Sequence, residues 1–522
     1  MTESPSQTES RSDTESHVVA VDFGTGGPKV GLVSFKGTVA WQRHYPVETT
    51  YHEGGGATQD AVQWWEVLKF GVREALAESA IAPEMIKAVS ITGQWASTVP
   101  VDAAGVPVGP VMLWMDSRGG SLIRERIGGP VSGFKPREIA EWIRRSGGAP
   151  SLDGADPIGH HLYIAKHHPE VAAAARWYLE PVDYLTMCFT GVASASPASM
   201  TGSWLIDTRS SNPTSYDPLL ISMAGIDGSK LPPLSPFGSV VGTISPIVAE
   251  ELGLPVGASV VTGQPDLHSA VYGAGAVMVG EAHMAISTSG WISAPTTKKK
   301  TDIVRQVATV PGIGDGNYLI ANNHETAGLC LSWLRDLLGG EVGFDDLTEL
   351  ASSSAPGAGG VFFTPWLNGE RSPIADRRAR GGFHNLSLQT TQADLVRAVM
   401  EGVAFNNLWL HQAVEKFTKG RVDDIRMIGG GAQSDLWCQI HADVMDRTIE
   451  QVADPLYCGL RGAALVAAVA LGEVQLHELR GLVPLRETYR PDPAARSVYQ
   501  TMFKEFPKLY SSQKRFFHRM NK

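Results

Sequence analysis

The stretch Val18-Val19-Ala20-Val21-Asp22-Phe23-Gly24-Thr25-Gly26-Gly27-Pro28-Lys29-Val30-Gly31-Leu32-Val33-Ser34-Phe35 decides the fold. Its opening run, Val18 to Val21, is short, apolar and β-branched, the pattern of a buried strand. Val30 to Phe35 repeats that pattern. The glycine-rich segment between them therefore reads as the turn of a hairpin, not as the strand-to-helix step of a dinucleotide-binding unit. Neither a Walker A sequence nor a Gly-x-Gly-x-x-Gly fingerprint occurs in the chain, so both of those nucleotide folds lose their main support.

A second stretch, Ala282-His283-Met284-Ala285-Ile286-Ser287-Thr288-Ser289-Gly290-Trp291-Ile292, is again strand, Ser/Thr/Gly turn, strand. It lies about one domain length after the first. Two such turns predict an α/β protein of two similar domains facing one nucleotide, with the boundary near Gly280. The expected organisation is a disordered tail over 1–16, domains over 17–280 and 281–490, and a helical extension over 491–522. Further buried strands are expected at Val89 to Thr92, Ser259 to Thr262, Met284 to Ser287 and Ile425 to Ile428. Apolar residues recur at helical spacing from Asp394 to Phe417, with Thr391 placed to cap the start. A second helix, rich in Ala, is expected from Gly462 to Leu471.

Phosphoryl transfer needs amides and hydroxyls around phosphates, a carboxylate near Mg²⁺, and a group to receive the proton of the attacking hydroxyl. The first turn offers Asp22, Gly24, Thr25, Gly26 and Lys29. Glycines let backbone N–H groups approach phosphate oxygens, and Asp22 can hold Mg²⁺ through water. The same residues would also satisfy a tight hairpin that binds nothing. Val260-Val261-Thr262-Gly263-Gln264-Pro265-Asp266 places an acid just past a buried strand, where α/β proteins build sites. Asp266 could accept a hydroxyl proton, though an Asx-type turn also accounts for it. Gly429 to Ser434 follows another strand and could pass close to a flat base or a ribose; a turn needing positive φ is the plainer explanation. Phe363 to Pro373 has the composition of an ordered loop near a ligand, or of a hinge. His160, His161, His167 and His168 fall on one helical stretch, best read as a solvated face.

Composition bounds the function. The 522 residues carry 44 Lys and Arg against 54 Asp and Glu, a net charge of -10, so neither nucleic acid nor a membrane is expected as the partner. Cys188, Cys330, Cys438 and Cys458 form no Cys-x-x-Cys pair, which fits a reducing cytoplasm. No apolar run reaches the ~18–20 residues of a membrane span. Met1 to Ser16 lacks the apolar core of a signal peptide.

Taken in order, the motifs resemble the FGGY carbohydrate kinase family, its xylulokinase-like branch most of all. The resemblance runs over about residues 17–490. It rests on Asp22 to Lys29, Gly93-Gln94, Leu113-Trp114-Met115-Asp116-Ser117-Arg118, Pro181-Val182-Asp183-Tyr184-Leu185 and Thr288-Ser289-Gly290. Gly369 to Pro373, Arg397 to Gly402, Gly429 to Ser434, Trp437, Ala442-Asp443-Val444 and Gly462-Ala463-Ala464 complete it. It implies two ribonuclease-H-like domains of the actin and hexokinase superfamily closing over ATP and a sugar. Asp22 would lie near Mg²⁺, with Gly24, Thr25, Gly26 and Lys29 at the phosphates and Thr288 and Ser289 as the second phosphate motif. Gly328, Gly430, Gly431, Ala432 and Ser434 would border the adenosine. Asp266 matches the catalytic base, and Gln94, Trp95, Asp116, Arg118 and Leu267 fall at positions lining the sugar.

The departures fall mostly where the sugar is read. Gln94-Trp95-Ala96-Ser97 stands where xylulokinases carry Gln-Met-His-Gly, and Leu267 stands where Asn or Gln is usual. The expectation is an ATP- and Mg²⁺-dependent kinase for a small sugar, ketose or polyol that uses D-xylulose poorly, with room for a homodimer. The alternative is a weakly catalytic sensor that binds ATP and sugar on the same fold.

Overall fold

Alternation within one strand sets up the architecture. Val19, Val21 and Phe23 enter one apolar cluster, while Val18 and Ala20 enter another. Neighbours on a strand point to opposite faces, so this strand is buried on both. The structure, a computed structural model, describes residues 15–131 and 133–521. Nearly all of the tail expected over 1–16 lies outside those residues.

In chain order the first half supplies β1 (His17–Gly24), β2 (Gly27–Ser34), β3 (Val39–His44), α1 (Ala61–Glu78) and β4 (Ile86–Gly93). It continues with α2 (Pro157–His167), α3 (Pro181–Thr190), β5 (Val240–Thr243), β6 (Ser259–Val261) and α4 (Asp266–Ala274). Its main sheet runs β5-β6-β4-β1-β2-β3, with β1 antiparallel to β2 and parallel to β4. The second half supplies β7 (Ala282–Ile286), β8 (Gly290–Ser293), α5 (Gly328–Leu337), α6 (Gln392–Thr418) and β9 (Asp424–Ile428). Then come α7 (Asp435–Met445), β10 (Thr448–Val452), α8 (Cys458–Ala470), β11 (Leu485–Tyr489), α9 (Pro493–Phe503) and α10 (Phe506–Met520). Its sheet runs β8-β7-β9-β10-β11. Here β7 is antiparallel to β8 and parallel to β9, the arrangement of β1 with β2 and β4. The internal echo is thus a repeat of topology.

Between the two sheets lie α4 and α8. One cluster joins Val18 and Ala20 of the first sheet to Ala285, Ile428 and Val452 of the second through Val271 of α4 and Leu460 and Leu465 of α8. Each fully buried Leu contributes about 1.5–3 kcal/mol through lost apolar surface. The helices touch at glycines. A Cβ on Gly462 would stand 1.8 Å from the Ser269 carbonyl oxygen, and one on Gly273 2.0 Å from that of Cys458. Outer clusters cover the other faces, with α1 and α3 on the first sheet and α6 and α7 on the second.

The long helix α6 begins with a capping box between Thr391 and Asp394. The helix expected from Gly462 starts a turn earlier, at Cys458, after a turn opened by Pro455. The solvated histidine face is overturned for half its members. His160 and His161 are buried in α2, His160 against the segment that carries Asp116 and His161 against the Tyr178 ring, while His167 and His168 close the helix outside. Among the described residues, no helix is long and apolar enough to cross a membrane.

Candidate active site

The β1–β2 turn is fixed from three directions. Gly27 has φ of 114°, and a Cβ there would meet the Tyr45 carbonyl oxygen at 2.0 Å, so only glycine fits. Thr25 Oγ1 donates to Gln94 Oε1 at 3.3 Å and accepts from Trp114 Nε1 at 3.1 Å, while Gln59 Nε2 donates to the Thr25 carbonyl at 2.8 Å. Gly24 is partly covered and Gly26 open to solvent. Lys29 Nζ lies 3.3 Å from Asp22 Oδ2, so the paired ammonium and carboxylate share the mouth of the turn.

The second turn is held from behind. Gly328 N–H donates to the Ser287 carbonyl at 2.7 Å and Ala327 N–H to that of Thr288 at 3.0 Å. Gly429, with φ of 85°, leaves room for nothing larger, because its Cβ would stand 2.6 Å from the Ile286 carbonyl. Gly431 likewise packs on Ile286. Ala432 takes a hydrogen bond from Gln451 Nε2 at 2.8 Å, and Ser434 caps α7 through Trp437 N–H. So Thr288, Ser289, Gly328 and the 429–434 loop stand together. The segment leading into α8, together with the first turn of that helix, links them to the first turn of the site. Gly429 N–H donates to the Pro455 carbonyl, and Gly459 abuts the Asp22 carboxylate.

Asp266 is the first residue of α4, directly after Pro265, whose short strand pairs with the end of β4. Ser269 Oγ donates to its carbonyl, and Thr92 Oγ1 of β4 donates to Ser269 Oγ. The carboxyl opens into the cleft but is ringed by protein. That shortage of bulk water is the largest influence on it and pushes its pKa up to about 6. Leu267 N–H, bonded to Oδ1 at 2.7 Å, pulls the other way, and the nearby Asp22 charge pushes up again. Since cleft water touches the carboxyl in this open state, the upward push is felt in full only when the cleft is dry.

Beyond Asp266 the wall changes character. Gln94 is buried, and its Nε2 has no partner in the protein. Trp95 donates its indole N–H to the Ser199 carbonyl at 2.6 Å and sets its ring edge-on to His268, 6.2 Å between centroids. Leu267 is 8% exposed and packs into the central apolar cluster, so it lies beneath the wall. Asp116 has no exposure; it accepts from Ala57 N–H and from Arg118 through Nε and Nη2. Its place is behind Arg118, which lies over the Tyr163 ring at 4.7 Å. His160 fixes this corner, with one ring nitrogen 3.2 Å from the Asp116 carbonyl and the other 3.1 Å from Thr98 Oγ1.

Sequence reasoning missed the support behind the second turn. Glu370, fully buried, receives His324 and Asn406 and the N–H of Glu325. The His324 backbone in turn pairs with Gly290, next to Ser289. The Gly369-Glu370-Arg371 motif marks this loop, but nothing in the sequence around His324 sets it apart.

Two sheets of this design closing on a pair of glycine-bounded turns define a sugar-kinase fold. The ligand-bound xylulose kinase of Lactobacillus acidophilus shares it, with a TM-score of 0.85 at 21% identity over 97% of this chain and 99% of that one. Residues 17–273 match the N-terminal domain, and 284–471 the C-terminal domain, of the FGGY family of carbohydrate kinases, and the chain belongs to that family. It is thereby a carbohydrate kinase, a phosphotransferase that draws on ATP. A xylulose kinase of Staphylococcus epidermidis is 27% identical over 503 residues, covering 95% of this chain and 97% of its own. An L-xylulose/3-keto-L-gulonate kinase of Escherichia coli is 27% identical over 513 residues, covering 96% and 98%.

Proposed function

We propose that this enzyme phosphorylates a hydroxyl of a small ketose or polyol, with Asp266 as the base. One arrangement carries the reading. Asp266 stands at the open end of α4 beside Asp22, between a turn tied to Gln94 and a wall led by Trp95. An ionised carboxylate there can take or orient the proton of the attacking hydroxyl. Gly24, Thr25, Gly26, Lys29, Thr288 and Ser289 cradle the phosphates of ATP. Gly328, Gly430, Gly431, Ala432 and Ser434 border its adenosine. The nucleotide then spans residues 17–280 and 281–490, and the reaction belongs in the cytoplasm, where ATP is made and thiols stay reduced.

Mg²⁺ usually takes one or two carboxylates and fills its shell with phosphate oxygens and water. Asp22, next to Asp266 and the first turn, fits that demand, although no cluster of three or more ligating side chains occurs among the described residues. When bound there with ATP, the ion would offset phosphate charge.

The likeness to a xylulose kinase and to an L-xylulose/3-keto-L-gulonate kinase supports a ketose acceptor. The Trp95 N–H is spent on Ser199, so the edge it forms has no donor left to offer. A sugar hydroxyl facing this edge would go unpaired, at a cost of about 1–3 kcal/mol. D-xylulose should therefore be a poor acceptor, and a deoxy-ketose or a tetritol a better one. The test is ADP release with ATP and Mg²⁺ across pentuloses, hexoses, deoxy-sugars and polyols. Turnover of D-xylulose well above all others overturns the acceptor reading. Calorimetric ATP binding with no turnover on any acceptor would favour a sensor instead.

A further inference from the structure

We infer that Glu180 is a positioning residue for the acceptor: its buried carboxyl holds the Gln94–Ser97 loop in the shape that sets Trp95 against α4. This rests on the reading of Trp95 as an acceptor wall.

Glu180 directly precedes α3, where a short side chain would normally cap the helix. Its side chain makes no cap bond. It reaches the loop after β4, where Oε2 accepts the N–H of Ser97, the residue next to Ala96, at 3.1 Å. Ala96 has φ of 61°, a left-handed conformation that a residue with a Cβ keeps only where its surroundings enforce it. One turn along α3, Asp183 Oδ2 accepts from Ser199 Oγ at 2.7 Å. The Ser199 carbonyl is the partner of the Trp95 indole. Two acids on one helix thus hold Trp95 from both ends, Glu180 through its backbone and Asp183 through its ring.

The arrangement is costly in itself. Glu180 and Asp183 are 2% and 1% exposed, repel each other, and leave Glu180 Oε1 and Asp183 Oδ1 without partners. A helix start needs no such pair, since Ser or Asp would cap it at lower cost. The left-handed turn at Ala96 needs an acceptor at this spot, and a carboxyl on α3 supplies it.

The experiment compares Glu180→Ala, Glu180→Leu, Glu180→Gln and Trp95→Ala, using ATP and the acceptor of highest turnover. Each variant is also melted and titrated with ATP by calorimetry. Losing the loop anchor should raise the acceptor KM about tenfold or more, as removal of one buried hydrogen bond to a positioning group does. The ATP affinity should stay near wild type, and Glu180→Gln, which keeps an acceptor oxygen, should recover most of the loss. Glu180→Leu fills the space if Glu180→Ala does not fold. An acceptor KM that moves in Trp95→Ala but in neither apolar Glu180 variant overturns the role of Glu180 alone. An acceptor KM that moves in none of them overturns the wall reading as well.

Discussion

Gly459, in the first turn of α8, lies so close to Asp22 that a Cβ on it would stand 2.7 Å from the Asp22 carboxylate oxygen. That oxygen, Oδ2, also faces Lys29. An alanine at 459 must push the carboxylate aside. Displacements of this order near reacting groups cost up to about 10²-fold in rate. Gly459→Ala should lower kcat about 10- to 100-fold. Its melt should hold, because alanine suits a helix better than glycine. The check is ADP release alongside a thermal melt; full turnover would show that the orientation of Asp22 does not matter.

Asp266→Asn keeps size and shape but removes the proton-accepting charge. Its kcat should fall by on the order of 10²–10⁴, the usual contribution of a positioned acid–base group. The variant should melt at or above wild type at pH 8. The Asp266 pKa is raised in the folded chain, from 3.8 to about 6. Its contribution to stability is therefore present in acid and lost as pH rises, by less in the open, hydrated cleft of the free enzyme than in a dry one, and asparagine escapes that loss. A normal melt with most of the turnover retained would remove Asp266 from the mechanism.

The same shift sets the pH profile. A base must be ionised, so kcat, which reports the filled and closed cleft, should fall as pH drops through about 6 and level off above it. An ordinary aspartate would place that limb near 4. Steady-state rates between pH 5 and 8, under saturating ATP and acceptor, separate the two. A flat profile down to pH 5 would mean that the cleft leaves Asp266 well hydrated throughout turnover.

Gly462→Ala tests the seam between the sheets. Its Cβ would overlap the Ser269 carbonyl oxygen, a backbone atom that cannot swing away. Overpacking of this kind typically costs about 1–3 kcal/mol. The loss should appear as a lower denaturation midpoint. Activity should fall with it, since α4 carries both Ser269 and Asp266.

The hairpin of 18–35 could be read directly, because β-branched runs on either side of a glycine turn leave little choice. The capping box of Thr391 and Asp394 was equally local. What stayed hidden was long-range. His160 and His161 sit in a helix whose composition looks polar, yet its first turns press against the Thr98 and Asp116 segments, which no local pattern discloses. Glu180, a charged residue before a proline, reads as an exposed helix start, and only the fold brings the loop after β4 over it. Gly462 signals close packing, but the partner it meets, Ser269, is far away in the chain. The candidate site residues stand in motifs that the sequence itself displays. That Asp116 serves Arg118, and that Leu267 lies below the wall, required packing to be seen.

The sandwiched helices α4 and α8 also decide how the polypeptide can be divided. The linker 275–281 is the evident place to cut, with Met278 and Val279 exposed. Yet a first fragment ending there lacks Leu460 and Leu465, and shows water the sheet face they cover. A second fragment lacks Val271 and bares Ala285, Ile428 and Val452. Made alone, each piece should aggregate or stay loosely folded. Made together, they should recover one enzyme whose turnover counts encounters between them. Fused to two other proteins, the halves would form a split reporter, its signal a phosphorylated sugar.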